Sequence, residues 1–309
     1  MNVENNITKS PINKENALEL FLKCKDYTVS NKTFTLLKDR VSDILITNPQ
    51  PKIEDLYKYY ESDEYISHTD SNKTLFDKIY QIAKNYAIKR KVKLVSEFKI
   101  QNSKFKILDI GCGTGDFLNA CKKNEYIVKG VEPNKKARVL AKSKLGILSS
   151  KSDNFYEDLP KVYEKINEVD IKFDVITMWH VLEHVQNLED YIKKLKTILK
   201  PNGTLIIAVP NYKSYDAKYY KEFWAAYDVP RHLWHFSKKS IKILFKKENM
   251  IVEKILPMKM DSYYVSLLSE KYKNNKSNII KAFLIGFWSN LKAMKSKEYS
   301  SLIYIIKNS

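Results

Sequence analysis

Cysteine is scarce. The 309 residues include three, Cys24, Cys112 and Cys121, and no two form a CxxC pair. So few thiols give no disulfide framework, and they fit a reduced cytoplasm. Long apolar runs are also missing. Residues 1–16 contain no hydrophobic stretch of the kind a secretory signal needs. The late apolar cluster Ala282–Trp288 falls far short of the roughly 20 residues that cross a bilayer. The expectation is a cytoplasmic protein with no membrane span. Arginine is rarer still for its class: Arg40, Arg90, Arg138 and Arg231 are four of 54 basic residues. The net charge of +18 invites a nucleic-acid partner. The residue whose planar fork suits phosphate is nevertheless the one withheld. The lysines are scattered over helical faces, and asparagine and isoleucine abound, as in the product of an AT-rich genome. A solvated lysine surface is the preferred reading, with weak attraction to RNA or anionic substrates as the alternative.

What is present is an ordinary apolar content of 44%, enough for a sizeable core. The length suits one large domain, or a domain with an accessory region. The most informative stretch is Phe105–Asp116. An apolar run, Ile107-Leu108-Asp109-Ile110, drives into Gly111-Cys112-Gly113-Thr114-Gly115, and a helix opens at Asp116. Glycines in such a turn permit backbone conformations closed to other residues and let a ligand approach closely. The spacing is G-x-G-x-G rather than the dinucleotide G-x-G-x-x-G. Glu132 follows 21 residues after Gly111, at the expected end of a second strand. An acidic side chain there can accept both ribose hydroxyls of a nucleoside. Strands are expected at Lys106–Ile110, Ile127–Val131, Phe173–Met178, Thr204–Val209, Ile251–Met260 and Ser301–Ile306. Helices are expected at Leu75–Ile100, Phe117–Lys123, Lys135–Lys144, Leu188–Leu199 and Ser237–Glu248, with mixed helix over Ser262–Lys295. Lys200-Pro201-Asn202-Gly203 reads as a turn. The alternation implies an α/β fold with a parallel sheet. Its ligand would sit at the strand ends, at a topological switch point.

Five motifs occur in order: LDIGCGTG, GVEPN, FDVITMWHVLEHV, LKPNGTLIIAVPN and DVPRHLWHFS. With them, the span from about Lys73 to Lys307 resembles a class I S-adenosylmethionine (SAM) methyltransferase of the methyltransferase domain 23 type, common in bacteria. The resemblance implies a Rossmann-like, seven-stranded, mostly parallel sheet with a reversed last strand and helices on both faces. It implies SAM over Asp109, Gly111, Cys112, Gly113 and Gly115, with Glu132 on the ribose and Pro133, Trp179 and His180 beside it. Asp153 or Asn154 would lie near the adenine. Residues 1–75 would form an accessory region or lid, and residues 76–309 the methyltransferase domain. Within that domain, residues 211–236 would form a substrate-side loop and residues 262–298 a helical insertion before the last strand. Related proteins often carry a small zinc ribbon before a T-N-P-x-P turn. Here Thr47–Pro51 survives with Cys24 alone, so a degenerate lid or dimer element is expected, since structural zinc needs four ligands.

Four of the five histidines fall in two clusters. His180, Glu183 and His184 share one face at a helix start. As text this is H-x-x-E-H, a peptidase pattern, set aside because it follows a methyltransferase strand. Ubiquinone-pathway O-methyltransferases resemble this region and use acidic and histidine side chains here to hold a divalent metal. The two readings are a hydrogen-bonded loop beside SAM, and a weaker one in which His180, Glu183 and His184 bind metal or His184 acts as base. The second cluster holds Arg231, suited to a carboxylate or phosphate, and His232, able to take a proton from a hydroxyl. Its plain structural reading is an Arg231–Asp228 bridge with packed aromatics. His184, His232 and Arg231 are the candidate catalytic residues. Methyl transfer from a sulfonium needs alignment, desolvation and, for a hydroxyl acceptor, a base. The leading expectation is SAM-dependent O-methylation of a small molecule, such as a sugar or glycan precursor or a quinone-like compound, by a monomer or homodimer. The alternatives are an RNA or protein methyltransferase and a non-catalytic SAM-binding scaffold.

Overall fold

The computed structural model describes residues 5–60, 75–99, 104–147, 155–169, 172–276 and 278–309. Asp153 and Asn154 lie outside the described residues. Three strands come first: β1 (Leu18–Lys25), β2 (Thr33–Asp39) and β3 (Ile44–Asn48). A short α1 (Ile53–Leu56) and a long α2 (Leu75–Ser96) follow. Then β4 (Lys106–Ile110), α3 (Asp116–Lys122), β5 (Ile127–Val131), α4 (Lys135–Lys144), β6 (Phe155–Tyr156), α5 (Leu159–Val169) and β7 (Phe173–Trp179) alternate. Next come α6 (Leu188–Ile198), β8 (Leu199–Pro210), α7 (Tyr215–Tyr220), β9 (Trp234–His235), α8 (Lys238–Lys247) and β10 (Met250–Pro257). The chain finishes with α9 (Asp261–Asn274), α10 (Ile279–Ser296) and β11 (Ser301–Asn308).

The main sheet has seven strands in the order β10-β11-β8-β7-β4-β5-β6. Neighbours from β8 to β6 are parallel, and β11 runs antiparallel between β10 and β8. This is the expected sheet with its reversed last strand. Both faces are covered, as buried parallel strands require. Successive residues of β4 point opposite ways. Ile107 packs with Val95 of α2 and Phe117 and Leu118 of α3. Leu108 and Ile110 pack with Leu159 of α5, Ile192 of α6 and Phe245 of α8. Helix α8 starts where Ser237 and Ser240 form a reciprocal cap, as expected of Ser237. The expected turn at Lys200–Gly203 is instead a bulge inside β8. Pairing with β7 jumps from Phe173↔Leu199 to Val175↔Thr204, so the extra residues loop out while the strand continues.

The first 48 residues hold the larger surprise. Strands β1, β2 and β3 form an antiparallel sheet whose fourth strand, β9, comes from the DVPRHLWHFS segment. Cys24, Phe34, Leu36 and Leu45 pack against Tyr212, Trp224, Tyr227 and Val229. Cys24 is a buried core residue, and burial pushes its thiol up to about 12. Thr47, in β3, donates its hydroxyl to the His232 carbonyl at 2.6 Å. Removing that donor strands a buried carbonyl, which costs roughly 1–3 kcal/mol. Thr47→Val is therefore expected to lower unfolding stability by about that amount in urea titration. An unchanged midpoint and slope would show that the link carries no load.

Candidate active site

The glycine turn closes as its sequence demands. Gly111, Gly113 and Gly115 have φ of 72°, 53° and 79°. A Cβ on Gly111 would collide with Val181, and one on Gly115 would lie 2.8 Å from Ala141 Cβ. Gly115 thus serves the close approach of α3 and α4. Gly113 differs, with no atom near its would-be side chain. Its N–H donates to Glu132 Oε2 at 2.9 Å, and the Asn134 N–H donates to Oε1 at 2.8 Å. Glu132 is therefore held at the end of β5. Burial raises its carboxyl pKa against these two bonds.

Asp109 lies beneath the turn, fully enclosed, and accepts from the Thr177 hydroxyl. Burial pushes it up to about 7, while Thr177 and Lys91 pull it back. Lys91 enters from α2, with its Nζ 4.5 Å from the centroid of Trp179. Burial lowers its pKa, and Asp109 and Asp261 hold its charge. The indole N–H of Trp179 is buried without a hydrogen-bond partner. The Lys-rich text of α2 hid Lys91 among solvated lysines.

A cavity of about 1700 Å³ runs from this turn to the histidines. Small-molecule sites usually enclose roughly 300–1000 Å³, so two molecules fit side by side. Gly111, Glu132, Pro133, Trp179, His180, His184, Arg231 and His232 line it together. Leu56 and Tyr60 of the N-terminal region, Met258, and Tyr264, Val265, Leu268 and Tyr272 of α9 give it an apolar wall. Asp109, Cys112, Gly113 and Gly115 are not in this lining. Cys112 is buried, and burial with nearby carboxylates pushes its thiol far above its usual range, so it is no nucleophile.

At the other end stand the histidines. His180 follows β7 with φ of 59°, a left-handed conformation that is costly for a non-glycine residue. Its Nε2 lies 2.9 Å from Asp261 Oδ2, and its Nδ1 lies 3.4 Å from Glu183 Oε1. Burial opposes its charge, but these carboxylates carry it up to about 10. His180 is thus a cation between two carboxylates. His184 Nδ1 faces the Arg231 carbonyl at 3.0 Å and the Tyr60 hydroxyl at 2.9 Å. A carbonyl only accepts, so Nδ1 carries the hydrogen. Burial and the His232 ring, 4.6 Å away, lower His184 to about 4. His232 donates from Nδ1 to the Ala226 carbonyl at 2.9 Å. Its Nε2 lies 3.7 Å from Asp228 Oδ2. Arg231 donates to Asp228 Oδ1 from Nε at 3.1 Å and a terminal nitrogen at 2.5 Å.

Glu183 is 1% exposed, and neither of its carboxylate oxygens has a hydrogen-bond partner. Burial works against its charge, but His180 and the other two histidines keep it ionised. One ligand atom each from Glu183, His184 and His232 lie within 4.8 Å of one another. His180 is paired with Asp261, and His232 stands beside Glu183 and His184, a neighbour that the trio expected from the sequence did not include. His235 lies outside the cavity, with Nε2 3.1 Å from the Thr47 hydroxyl, and burial keeps it neutral.

The family model of the methyltransferase domain matches residues 78–254. The chain belongs to that family. This methyltransferase is 29% identical over 179 residues to a ubiquinone biosynthesis O-methyltransferase of Pelagibacter ubique, covering 52% of this chain and 72% of the relative. It is 36% identical over 110 residues to the enzyme of that description from Histophilus somni, covering 34% of this chain and 45% of the relative. Its fold is that of a magnesium protoporphyrin IX methyltransferase from Synechocystis with bound S-adenosylhomocysteine. The TM-score is 0.51 at 13% identity, over 83% of this chain and all of that one. A cyclopropane synthase from Mycobacterium tuberculosis gives 0.50 at 14% identity, over 84% and 99%. The cofactor of the family is SAM.

Asp109 gives a pH prediction. Its folded pKa of about 7 exceeds the ordinary 3.8. The folded state therefore holds the proton longer, and the ligand-free methyltransferase loses stability as pH rises from 3.8 to about 7. Asp109→Asn should flatten that decline in thermal melts. In calorimetry, Glu132→Ala should weaken SAM binding about tenfold or more, the worth of hydrogen bonds to a charged group. Equal affinity in Glu132→Ala would remove Glu132 from the ribose.

Proposed function

We propose that this methyltransferase moves the SAM methyl group to a hydroxyl oxygen of a small, largely apolar, quinone-like acceptor. The observation that carries this reading is the cavity itself. One end carries a cofactor turn with a preset acidic residue. The other carries two imidazoles whose Nδ1 hydrogens are tied to backbone carbonyls, leaving both Nε2 lone pairs free. His232 is the base. Its ring is oriented by the Ala226 carbonyl, and Asp228 stands ready to stabilise the imidazolium formed when it takes the hydroxyl proton. Arg231, paired with Asp228, positions that carboxylate. Gly111, Glu132, Pro133 and Trp179 hold the cofactor, with Asp109 supporting the glycine turn from beneath. The wall of α9 residues and Tyr60 suits an apolar ring. The names of the O-methyltransferase relatives support the acceptor class over RNA or protein. The N-terminal sheet acts as a lid element, since Leu56 and Tyr60 just after it reach the cavity.

Glu183, His184 and His232 also fit a divalent cation, because a buried carboxylate with no hydrogen-bond partner is the donor such an ion satisfies. When bound, the ion would occupy the His232 Nε2 lone pair and itself acidify a coordinated hydroxyl, an alternative to His232 acting as the base.

Incubation with SAM and a panel of catechols and hydroquinones, followed by mass spectrometry, tests the activity. Methylation of a phenolic oxygen is expected, and His232→Ala should cut kcat by about 10²-fold or more with SAM affinity intact. Methylated RNA with no phenolic product would overturn the reading. Calorimetry with Mg²⁺, Mn²⁺ and Zn²⁺ should show binding that Glu183→Gln weakens at least about tenfold. No heat with any of the three ions would leave His232 as an unaided base.

A further inference from the structure

Helix α10 is built inside out. Its solvent face carries Ile280, Phe283, Leu284, Phe287, Trp288 and Leu291, all exposed, with Ile280 at 76% and Trp288 at 43%. Their spacing is that of a single helical stripe. The face turned to the protein carries Ala282, Gly286, Ser289 and Ala293. The Ser262 hydroxyl of α9 donates to the Gly286 carbonyl at 3.0 Å, and Ser289 donates to the buried Asp216 of α7 at 2.6 Å. A Cβ on Gly286 would lie 2.9 Å from the Tyr263 Cα, so the two backbones approach closely. A water-facing helix places its large apolar residues inward. Small and hydroxyl residues at the helix contact, with bulky apolar residues outside, are the pattern of helices solvated by lipid.

Charge names the partner. From Lys271 to Lys297 the chain has seven lysines and no acidic residue. A two-fold contact with a second copy through this face would bring lysines against lysines. An anionic bilayer surface matches both the stripe and its charge. No helix is long and apolar enough to cross a membrane among the described residues, so α10 would lie in the interface plane. We infer that the α9–α10 hairpin docks the methyltransferase on anionic lipid, with the Ile280–Leu291 stripe in the acyl boundary and the lysines among the headgroups. The inference is independent of which acceptor is methylated. Its geometry has a further implication: α9 alone separates the stripe from the cavity, which Tyr264, Val265 and Leu268 line.

The test is flotation of the full chain with phosphatidylcholine vesicles, with and without phosphatidylglycerol. Binding is expected on anionic vesicles, with a blue shift of tryptophan emission that Trp288→Phe removes. Burying one large apolar side chain is worth about tenfold or more in partition. Phe287→Glu with Leu291→Glu should therefore reduce binding at least about tenfold. SAM calorimetry on that variant, and the milder Phe283→Ser with Leu284→Ser, control for misfolding. Absent binding by the wild type overturns the inference. So does equal binding by folded variants, which assigns attraction to the lysines alone. A wild-type dimer that the variants dissolve, with no vesicle binding, assigns the face to a second copy and also overturns it.

Discussion

The loop bearing His232 is fixed by being shared between two sheets. Its next residues, Trp234 and His235, form the edge strand that completes the N-terminal sheet. Its own carbonyl is tied to Thr47. Asn211, at the loop's start, bridges in parallel to Phe236 at its end and bonds the Tyr299 carbonyl beside β11. A base must be held to a fraction of an ångström to work. Here the main sheet sets the height of the loop and the small sheet sets its orientation. The N-terminal 50 residues are thereby part of the site's frame.

Within that frame, charges are arranged in opposition. Asp109 and Glu132 are buried acids with raised pKa values, an arrangement that costs stability in the free protein. His180 is a cation between Glu183 and Asp261, and the trio keeps one net negative charge in the free protein. Strain at His180 is thus sustained by two carboxylates that hold its ring in place.

The sequence was most legible where local rules and tertiary rules agree. Strands β4 and β7 are short apolar runs flanked by glycine or lysine, and both are buried on both faces. The glycine turn announces itself because glycine adopts those φ values without the strain that a side chain brings. The N-terminal strands were harder to read. Leu18, Leu20, Leu22 and Cys24 alternate at the strand period, yet Leu20 faces solvent, so the alternation does not separate a core face from a wet one. At the site, His184, His232 and Arg231 were legible as rare residues in dense clusters. Their partners were not. Asp261, Lys91 and Tyr60 are common residue types, tens of residues away in sequence, and only the packing of α2, α9 and the N-terminal region brings them in. The pairing of His180 was hidden for the same reason: it meets Asp261, an acid that its own segment does not contain.

Strand β11 carries a consequence for how the molecule is made. It lies between β10 and β8, although β10 precedes it by more than 40 residues and β8 by about 90. During synthesis β8 and β10 emerge early, each with an edge that only β11 can occupy. The apolar hairpin between β10 and β11 is also translated before the sheet can close. A nascent chain therefore carries two open edges and a greasy helix at the same time, and it reaches its protected form only when Ser301–Asn308 slides between strands already in place.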